Sequence, residues 1–312
     1  MSRARPNILS ATPLDRLGHR RRDEAWLAEA LDAARLLPVW RGRNLVTAGD
    51  PLQPVLLDRA ALDGLLSDDT ETFLGAWDET QCFAVGLAGD APPAGLPGTF
   101  ADVRDIGSRL DDDHAALLAY ARAMVTWHEG HRWCGRCGGR TLVQEAGHVR
   151  ECAACEAKHF PRVDPAIIVL VADESRCLLG RQAGWPPHRY STIAGFVEPG
   201  ESLEDAVQRE VLEETGMPVT DIVYHSSQPW PFPSSLMLGF TARPAGETID
   251  LRDKELEDAR WVERDDIVCG RILMPRSLSI AYRLIEDWFD EAPGRSLARE
   301  AQVGPGIGRP ER

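Results

Sequence analysis

Three closely spaced carboxylates near the middle of the chain could hold divalent metal ions. Glu210, Glu213 and Glu214 stand three and four positions apart, so a helix would present all of them on one face. A hard cation such as Mg²⁺ or Mn²⁺ would relieve their repulsion, because it prefers carboxylate oxygen and accepts phosphate oxygen in its remaining positions. The pattern predicts a metal clamp for a diphosphate. A solvated acidic face is the alternative, but it leaves unexplained why Arg209 adjoins the cluster and Glu201 lies two turns earlier.

The residues on either side of this cluster indicate a loop that becomes a helix. Ser202 and Asp205 can form a capping box, and Gly216 can end the helix. An apolar stripe is provided by Leu203, Ala206, Val207 and Val211. We therefore expect the carboxylates on a helix that packs by this stripe.

Two pairs of cysteines could hold a second metal ion of a different kind. Cys134 and Cys137 form one Cys-x-x-Cys turn, and Cys152 and Cys155 form another. A hairpin between the turns would let four thiolates converge tetrahedrally on zinc, and a filled coordination sphere predicts a structural rather than a catalytic ion. A redox pair would need only one such motif. Three nearby histidines could substitute as ligands but are expected to pack or lie at the surface: His131, His148 and His159.

A loop rich in proline and aromatic residues follows the predicted helix. Residues 227–235 read Ser-Gln-Pro-Trp-Pro-Phe-Pro-Ser-Ser. Prolines fix the shape of a loop before a ligand binds, and an aromatic and amide array can stack on a base and bond its edge. A buried connector that uses Trp230 and Phe232 as core residues explains the composition equally well.

The pattern of apolar residues places these motifs on elements. Short apolar runs between residues 38 and 100 alternate with Gly, Pro and Asp turns, which is typical of a small β-rich domain. Helical spacing over Ser108–Glu129 predicts a helix that leads into the cysteine module. The unbroken run Ala166–Val171 predicts a strand covered on both faces, and the last predicted element is a helix near Ser277–Phe289.

The chain is thus predicted to have four parts. Residues 1–130 form a β-rich N-terminal domain that ends in a helix, residues 131–160 a zinc ribbon, and residues 161–290 a second domain. Residues 291–312 are expected to be a disordered tail, because their Gly, Pro, Arg and Glu cannot bury a core. Residues up to about Arg22 are expected to be a loosely held arm.

The composition of the chain limits the partners that it can be expected to bind. The formal net charge of −14 disfavours duplex DNA, and no dense Lys/Arg run offsets it. No apolar run has the length of a signal peptide or of a membrane span, and the cysteine pairs suit a reducing compartment, so we expect no membrane partner and a cytoplasmic location.

Residues 195–217 resemble the Nudix box at every defined position: Gly195, Glu201, Arg209, Glu210, Glu213, Glu214, Gly216 and the apolar Met217. The chain is therefore identified by resemblance as a member of the Nudix hydrolase superfamily. The resemblance implies an α/β fold, an α/β/α sandwich with a mixed sheet, that hydrolyses a nucleoside diphosphate linked to another moiety. It also implies that Glu210, Glu213 and Glu214 hold the catalytic metals, that one of them helps to activate water, and that Glu201 and Arg209 join loop and helix through an ion pair.

The proline-rich loop and the preceding four-cysteine ribbon are similar to the NADH pyrophosphatase subfamily, over about residues 133–289. This resemblance implies cleavage of NADH or NAD⁺ to nicotinamide mononucleotide and AMP, catalytic Mg²⁺ or Mn²⁺, structural Zn²⁺ and a homodimer. It assigns further metal binding to Ala194 and Glu255. It assigns dinucleotide contacts to Arg104, Phe160, Phe196, Gln228, Pro229, Trp230, Pro231, Phe232, Pro233, Ser234, Ser235 and Ala281. At Phe160 the commoner residue is tyrosine, so the ring is kept and a hydroxyl is lost.

Other functions fit the same residues. The clamp could serve ADP-ribose or another nucleoside diphosphate derivative, with the aromatic loop merely structural, and the family resemblance also allows RNA with a 5′ NAD cap as substrate. A further alternative, from another functional class, is a zinc ribbon that binds nucleic acid beside an inactive Nudix module. The acidic balance and the intact carboxylates count against it.

Overall fold

The computed structural model describes residues 5–10, 14–251 and 255–300. The described residues fall into two compact units. Within the described ranges, the N-terminal unit comprises residues 14–163 and 230–234, and the C-terminal unit comprises residues 5–10, 164–229, 235–251 and 255–300.

The N-terminal unit is built on a mixed sheet whose strand order is β3-β4-β1-β2-β5. Its elements are α1 (Glu24–Asp32), β1 (Arg35–Trp40), β2 (Arg43–Val46), β3 (Thr72–Trp77), β4 (Thr80–Gly86), β5 (Thr99–Ala101), α2 (Val103–Ile106) and α3 (Asp112–Gly130). Strands β1 and β4 run parallel, whereas β3 pairs with β4 antiparallel. Helix α3 packs on β1 and β4, and Leu36, Phe73 and Phe83 lie in the apolar core of the unit. The expected β-rich region that ends in a long helix is therefore present.

The ribbon continues from α3 within the same unit. Strands β6 (Thr141–Gln144), β7 (Val149–Cys152) and β8 (Lys158–His159) form a small antiparallel sheet. Gly147 between β6 and β7 has a φ of 93° and lies so near Thr72 that a Cβ would approach the Thr72 Oγ1 to 2.6 Å. The backbone conformation and the close approach both require glycine there.

The C-terminal unit contains a mixed sheet of order β12-β13-β9-β10-β14, with β11 paired to β9. Its elements are β9 (Asp164–Ala172), β10 (Arg176–Arg181), β11 (Ile193–Phe196), α4 (Leu203–Thr215), β12 (Val219–Trp230, whose last residue belongs to the N-terminal unit), β13 (Ser235–Pro244), β14 (Asp258–Glu263), α5 (Arg264–Val268), α6 (Ile280–Asp290) and α7 (Leu297–Glu300). Strand β13 is parallel to β9, whereas β10 and β11 are antiparallel to it.

Strand β9 is covered on both faces, as its unbroken apolar run predicted. Ile167 and Val169 pack in the apolar cluster that includes α4, and Ile168 and Leu170 pack in the cluster that includes α6. Side chains alternate between the faces of a strand, so the unbroken apolar run Ala166–Val171 packs against a helical layer on each face. The expected α/β/α sandwich with a mixed sheet is confirmed.

Two segments expected to be loose are packed. In the N-terminal arm, Asn7 and Leu9 are 5% and 3% exposed. In the tail, Arg295 of the preceding loop pairs with Glu300 of α7, and Leu297 is fully buried in the cluster that contains Phe289. The prediction of disorder was therefore wrong for residues 291–300, because average composition misses a single apolar anchor. Residues 301–312 lie outside the described residues.

Within the described ranges, none of the helices combines the length and the apolarity that a membrane crossing needs.

Candidate active site and zinc centre

Helix α4 has the ends that its sequence predicts. The Ser202 hydroxyl accepts a hydrogen bond from the Asp205 backbone N–H at 3.1 Å, and the Asp205 carboxylate accepts from the Ser202 N–H at 3.0 Å. Gly216 follows the helix with a φ of 67°, the left-handed conformation in which glycine is favoured. The capping box and the glycine stop are both confirmed, and the buried side of the helix carries Ala206, Val207 and Val211.

Arg209 joins the loop before α4 to the acidic cluster. Its guanidinium donates to the two Glu201 carboxylate oxygens at 2.5 and 3.0 Å. It also donates to Glu210 at 2.9 Å, to Glu213 at 3.1 Å and to the Phe196 carbonyl at 2.8 Å. The hydrogen bond with Arg209 is the largest cause that lowers the pKa of Glu201. The geometry matches the ion pair that the family resemblance implies.

The three glutamates of the cluster differ in their surroundings. Glu210 and Glu214 are 9% and 4% exposed, whereas the Glu213 side chain is 54% exposed. Glu210 lies against Gly195, where a Cβ would overlap its carboxylate. Burial raises the pKa of Glu210, Arg209 opposes this, and the nearby charges of Glu213 and Glu255 raise it further. Negative charge is therefore concentrated around a partly desolvated carboxylate.

This donor set suits a hard divalent cation. Carboxylate oxygens such as those on α4 are the ligands that Mg²⁺ and Mn²⁺ prefer, and a cation would offset the repulsion that acts on Glu210. Ala194 lies on β11 beside Gly195, and Glu255 is exposed. Within the described residues the carboxylates of α4 do not converge on one point as closely as the four cysteines do. Asp253 and Lys254, which precede Glu255, lie outside the described residues.

The predicted dinucleotide contacts of the C-terminal unit are of two kinds. Phe196 is 59% exposed at the end of β11, so its ring is available for stacking. Gln228 and Ala281 are each 1% exposed, so their side chains belong to the interior. Pro229 follows Gln228 directly, and Ser235 begins β13.

The other predicted contacts belong to the N-terminal unit. Trp230 and Phe232 meet edge to face with ring centroids 4.9 Å apart, and the Arg104 guanidinium carbon lies 5.9 Å from the Phe232 centroid. Pro231, Pro233 and Ser234 complete this segment. Phe160, at the end of the ribbon, is 64% exposed.

Sequence reasoning missed Arg122 of α3. Its guanidinium carbon lies 4.6 Å from the Phe232 centroid, and its N–H groups donate to the Gly42 carbonyl at 2.8 Å and to the Pro231 carbonyl. Burial lowers its pKa, and the charge of Arg104 lowers it further. No spacing rule links an arginine on a helix to a loop more than a hundred residues later, so the sequence held no signal for this contact.

The four cysteines converge as predicted. All four Sγ atoms lie within 4.8 Å of one another. The separations are 3.4 Å from Cys137 to Cys152, 3.4 Å from Cys137 to Cys155 and 3.8 Å from Cys134 to Cys155. A tetrahedral zinc with Zn–S bonds of about 2.3 Å requires sulfur atoms about 3.8 Å apart, so the donor set fits.

The surroundings of the sulfur atoms differ. At Cys137 the Gly139 backbone N–H lowers the pKa, but the Cys155 and Cys152 sulfur atoms outweigh it and raise the pKa to about 12. Backbone N–H groups of Ala154 and Cys155 lower the pKa of Cys152 to about 6. His159 is not part of the four-sulfur set, but its Nε2 lies 3.3 Å from the Cys134 Sγ and can orient that ligand. His131 and His148 bond main-chain carbonyls, in keeping with the packing roles expected of them.

Three families match successive parts of the chain. Residues 33–127 match the NADH pyrophosphatase-like rudimentary NUDIX domain, residues 130–160 the NADH pyrophosphatase zinc ribbon domain, and residues 161–287 the NUDIX domain.

Curated relatives extend this likeness over most of the chain. "NAD-capped RNA hydrolase NudC" of Stutzerimonas stutzeri is 42% identical over 76% of this chain and 82% of its own length. The protein of the same description from Mycobacterium bovis BCG is 36% identical over 90% of this chain and 94% of its own. The match to "Nudix hydrolase 19, chloroplastic" of Arabidopsis thaliana, 41% identical, spans 57% of that protein. The chain therefore belongs to the Nudix hydrolase superfamily, in the NADH pyrophosphatase subfamily that carries a four-cysteine zinc ribbon.

Proposed function

We propose that the protein hydrolyses the diphosphate of NADH or NAD⁺ to nicotinamide mononucleotide and AMP. The observation that carries this proposal is the complete Nudix helix, on which Arg209 holds Glu201, Glu210 and Glu213 together beside the exposed ring of Phe196. A carboxylate cluster next to an aromatic platform suits a substrate that joins a charged diphosphate to flat rings.

The residues of the site divide into three proposed roles. Glu210, Glu213 and Glu214, with Glu255 and Ala194, would hold Mg²⁺ or Mn²⁺, which when bound neutralises the diphosphate and lowers the pKa of an attacking water. Arg209 and Glu201 keep the preceding loop against α4, so the carboxylates are oriented before the substrate arrives. Phe196 would stack on one ring of the dinucleotide.

Product analysis tests this proposal. NADH, NAD⁺ and ADP-ribose are incubated separately with the enzyme and Mg²⁺ or Mn²⁺, and the products are separated by chromatography. We expect nicotinamide mononucleotide and AMP from NADH or NAD⁺, at a higher kcat/KM than for ADP-ribose. Glu213→Gln should abolish turnover, whereas Glu204→Gln, an exposed acid in the first turn of the same helix, is the control. A preference for ADP-ribose would contradict the proposed substrate.

RNA with a 5′ NAD cap is a second proposed substrate, because the relatives from Stutzerimonas stutzeri and Mycobacterium bovis are named for that activity. Its diphosphate and nicotinamide are those of free NAD⁺, so the same site would act on it. Release of nicotinamide mononucleotide from capped RNA, compared with free NAD⁺ at equal concentration, tests this directly.

We also propose a cytoplasmic homodimer with domain boundaries after residues 130 and 160. The family resemblance and an N-terminal domain without evident chemistry of its own motivate the dimer. Light scattering at micromolar concentration should give twice the chain mass. A fully active monomer would contradict the dimer, and recovery of the protein outside the cytoplasmic fraction would contradict the location.

A further inference from the structure

The segment Arg5–Ser10, here called the strap, packs in the C-terminal unit although more than two hundred residues separate it from its partners. Asn7 and Leu9 are 5% and 3% exposed. Leu9 has a φ of 73°, a left-handed conformation that a leucine keeps only when its surroundings hold it. The family matches begin at residue 33, so nothing in them covers the strap.

The carboxamide of Asn7 anchors the strap to β12 and α6. Its Nδ2 donates to the Ser226 hydroxyl at 3.0 Å and to the Ser227 carbonyl at 2.8 Å. Its Oδ1 accepts a hydrogen bond from the Arg283 guanidinium at 3.3 Å. Both ends of the side chain are therefore engaged, and an alanine would leave buried groups without these partners.

Gln228 holds the strap from the other side. Its Nε2 donates to the Ile8 carbonyl and to the Leu278 carbonyl, each at 2.7 Å, and its Oε1 accepts from the Ile280 N–H at 2.8 Å. One buried amide thus joins the strap, the end of β12 and the start of α6. Because both N–H groups and the carbonyl oxygen are engaged by main chain, this amide acts on the position of its neighbours rather than on a ligand.

We propose that the strap is a positioning element for the substrate loop, residues 229–235, and that Gln228 is the positioning residue through which it acts. The inference rests on the proposed hydrolysis of a nicotinamide dinucleotide. Residue 228 directly precedes the substrate loop, whose first two residues are the last two of β12, so fixing its amide fixes the backbone from which the loop leaves the strand. A loop ordered in advance loses less entropy when a ligand binds.

The kinetic test uses Asn7→Ala and Gln228→Glu, singly and together, in the full chain. Without the strap's bonds to β12 and α6, the substrate loop is less ordered before NADH binds. We therefore expect the KM for NADH to rise about tenfold while kcat stays within about twofold. Because both variants open the same junction, the double variant should be little worse than either single one. Gln182→Glu makes the same change at an exposed position of the same unit and should leave both parameters unchanged.

Hydrogen exchange without substrate gives a readout independent of activity. Exchange measured by mass spectrometry over residues 226–230 and 279–283 should be faster in both single variants. Should Asn7→Ala fail to fold, Gln228→Glu opens the same junction from the other side. The proposal is overturned if exchange and KM stay unchanged, whether or not the melting temperature falls, or if kcat alone falls. A wild-type chain that leaves NADH intact would instead refute the proposed function, and exchange would still test the strap.

Discussion

The contact between Gly195 and Glu210 controls how the acidic cluster is presented. A Cβ at position 195 would overlap the Glu210 carboxylate, so any larger residue must displace a proposed metal ligand. We predict that Gly195→Ala lowers kcat/KM for NADH by on the order of a hundredfold or more. Crowding at this buried contact should also cost about 1–3 kcal/mol of unfolding free energy. Steady-state kinetics and urea unfolding measure the two effects.

Gly184→Ala is the matched control, because a Cβ at that position meets nothing within 4 Å. It should leave both quantities near wild type. Wild-type turnover in Gly195→Ala would mean that catalysis does not need Glu210 where the structure has it.

Glu214 permits a test that separates stability from activity. Glu214→Gln keeps size and helix propensity but removes one charge and one strong oxygen ligand. We predict that turnover falls by on the order of a hundredfold or more while the melting temperature stays within about 3 °C of wild type. Activity assays and calorimetry check this. A lower melting temperature with nearly the original rate would instead show that Glu214 has a structural and not a catalytic role.

At the scale of single residues, the features that depend on local spacing along the chain could be predicted from the sequence. The capping box and the glycine stop depend on residues a few positions apart on one helix, and the four-sulfur cluster on two short Cys-x-x-Cys spacings; the structure has all of them. The sequence could not predict that a Cβ at Gly195 would overlap Glu210 or that Arg122 stacks on Phe232, because such contacts follow from tertiary packing.

At the scale of secondary-structure elements, helix α3 holds the part of the substrate loop that belongs to the N-terminal unit, Trp230–Ser234. Arg122 stacks on Phe232 and bonds the Pro231 and Gly42 carbonyls. Lysine keeps the charge but loses the planar fork, so Arg122→Lys should cost about 1–2 kcal/mol of unfolding free energy. A less ordered loop should also raise the KM for NADH several-fold. Urea unfolding and kinetics measure both, with Arg109→Lys, an exposed arginine, as control. An unchanged KM would exclude Arg122 from loop positioning.

The turn between β9 and β10 should be sensitive to pH. Burial raises the pKa of Asp173, but hydrogen bonds from Ser175 and Arg176 outweigh it and lower the pKa from 3.8 to about 2. Because the folded-state pKa is depressed, this stabilisation is present above the unfolded value and disappears as pH falls through about 2. Asp173→Asn should therefore be less stable than wild type at neutral pH, with a difference that shrinks below about pH 4. Urea unfolding across this range tests it, and a constant difference would contradict it.

Long periodic elements were predictable, whereas short anchored segments were not. The apolar run of β9 and the helical spacing of α3 identify those elements because many residues repeat one signal. The strap and α7 are held by a few buried groups, such as Asn7 and Leu297, within polar surroundings. Composition averages over such segments, so it predicted looseness where single side chains provide the anchors.

For the whole molecule, the ribbon and the rudimentary Nudix domain behave as one N-terminal unit, because buried polar groups connect them. The fully buried Arg150 of β7 donates to the Asp69 carbonyl at 2.9 Å, and its guanidinium lies 2.8 Å from the His128 Nδ1. His128 in turn bonds the Gly147 carbonyl at 2.9 Å, and burial is the largest cause that lowers its pKa to about 3. Loss of the ribbon fold would remove Arg150 and Gly147 as partners of the Asp69 carbonyl and the His128 ring.

Removal of one zinc ligand should therefore destabilise the whole N-terminal unit. Wild type should retain one zinc per chain after extensive dialysis, whereas Cys152→Ser, which removes a buried thiolate, should retain less. Metal binding is linked to folding, so the calorimetric transition of this unit should fall by roughly 5 °C or more. Cys269→Ser, at an exposed cysteine of the other unit, should match wild type in zinc content and melting. If a zinc-free Cys152→Ser chain melted with wild type, the ion would have no structural role, and the buried network around Arg150 would suffice to hold the ribbon.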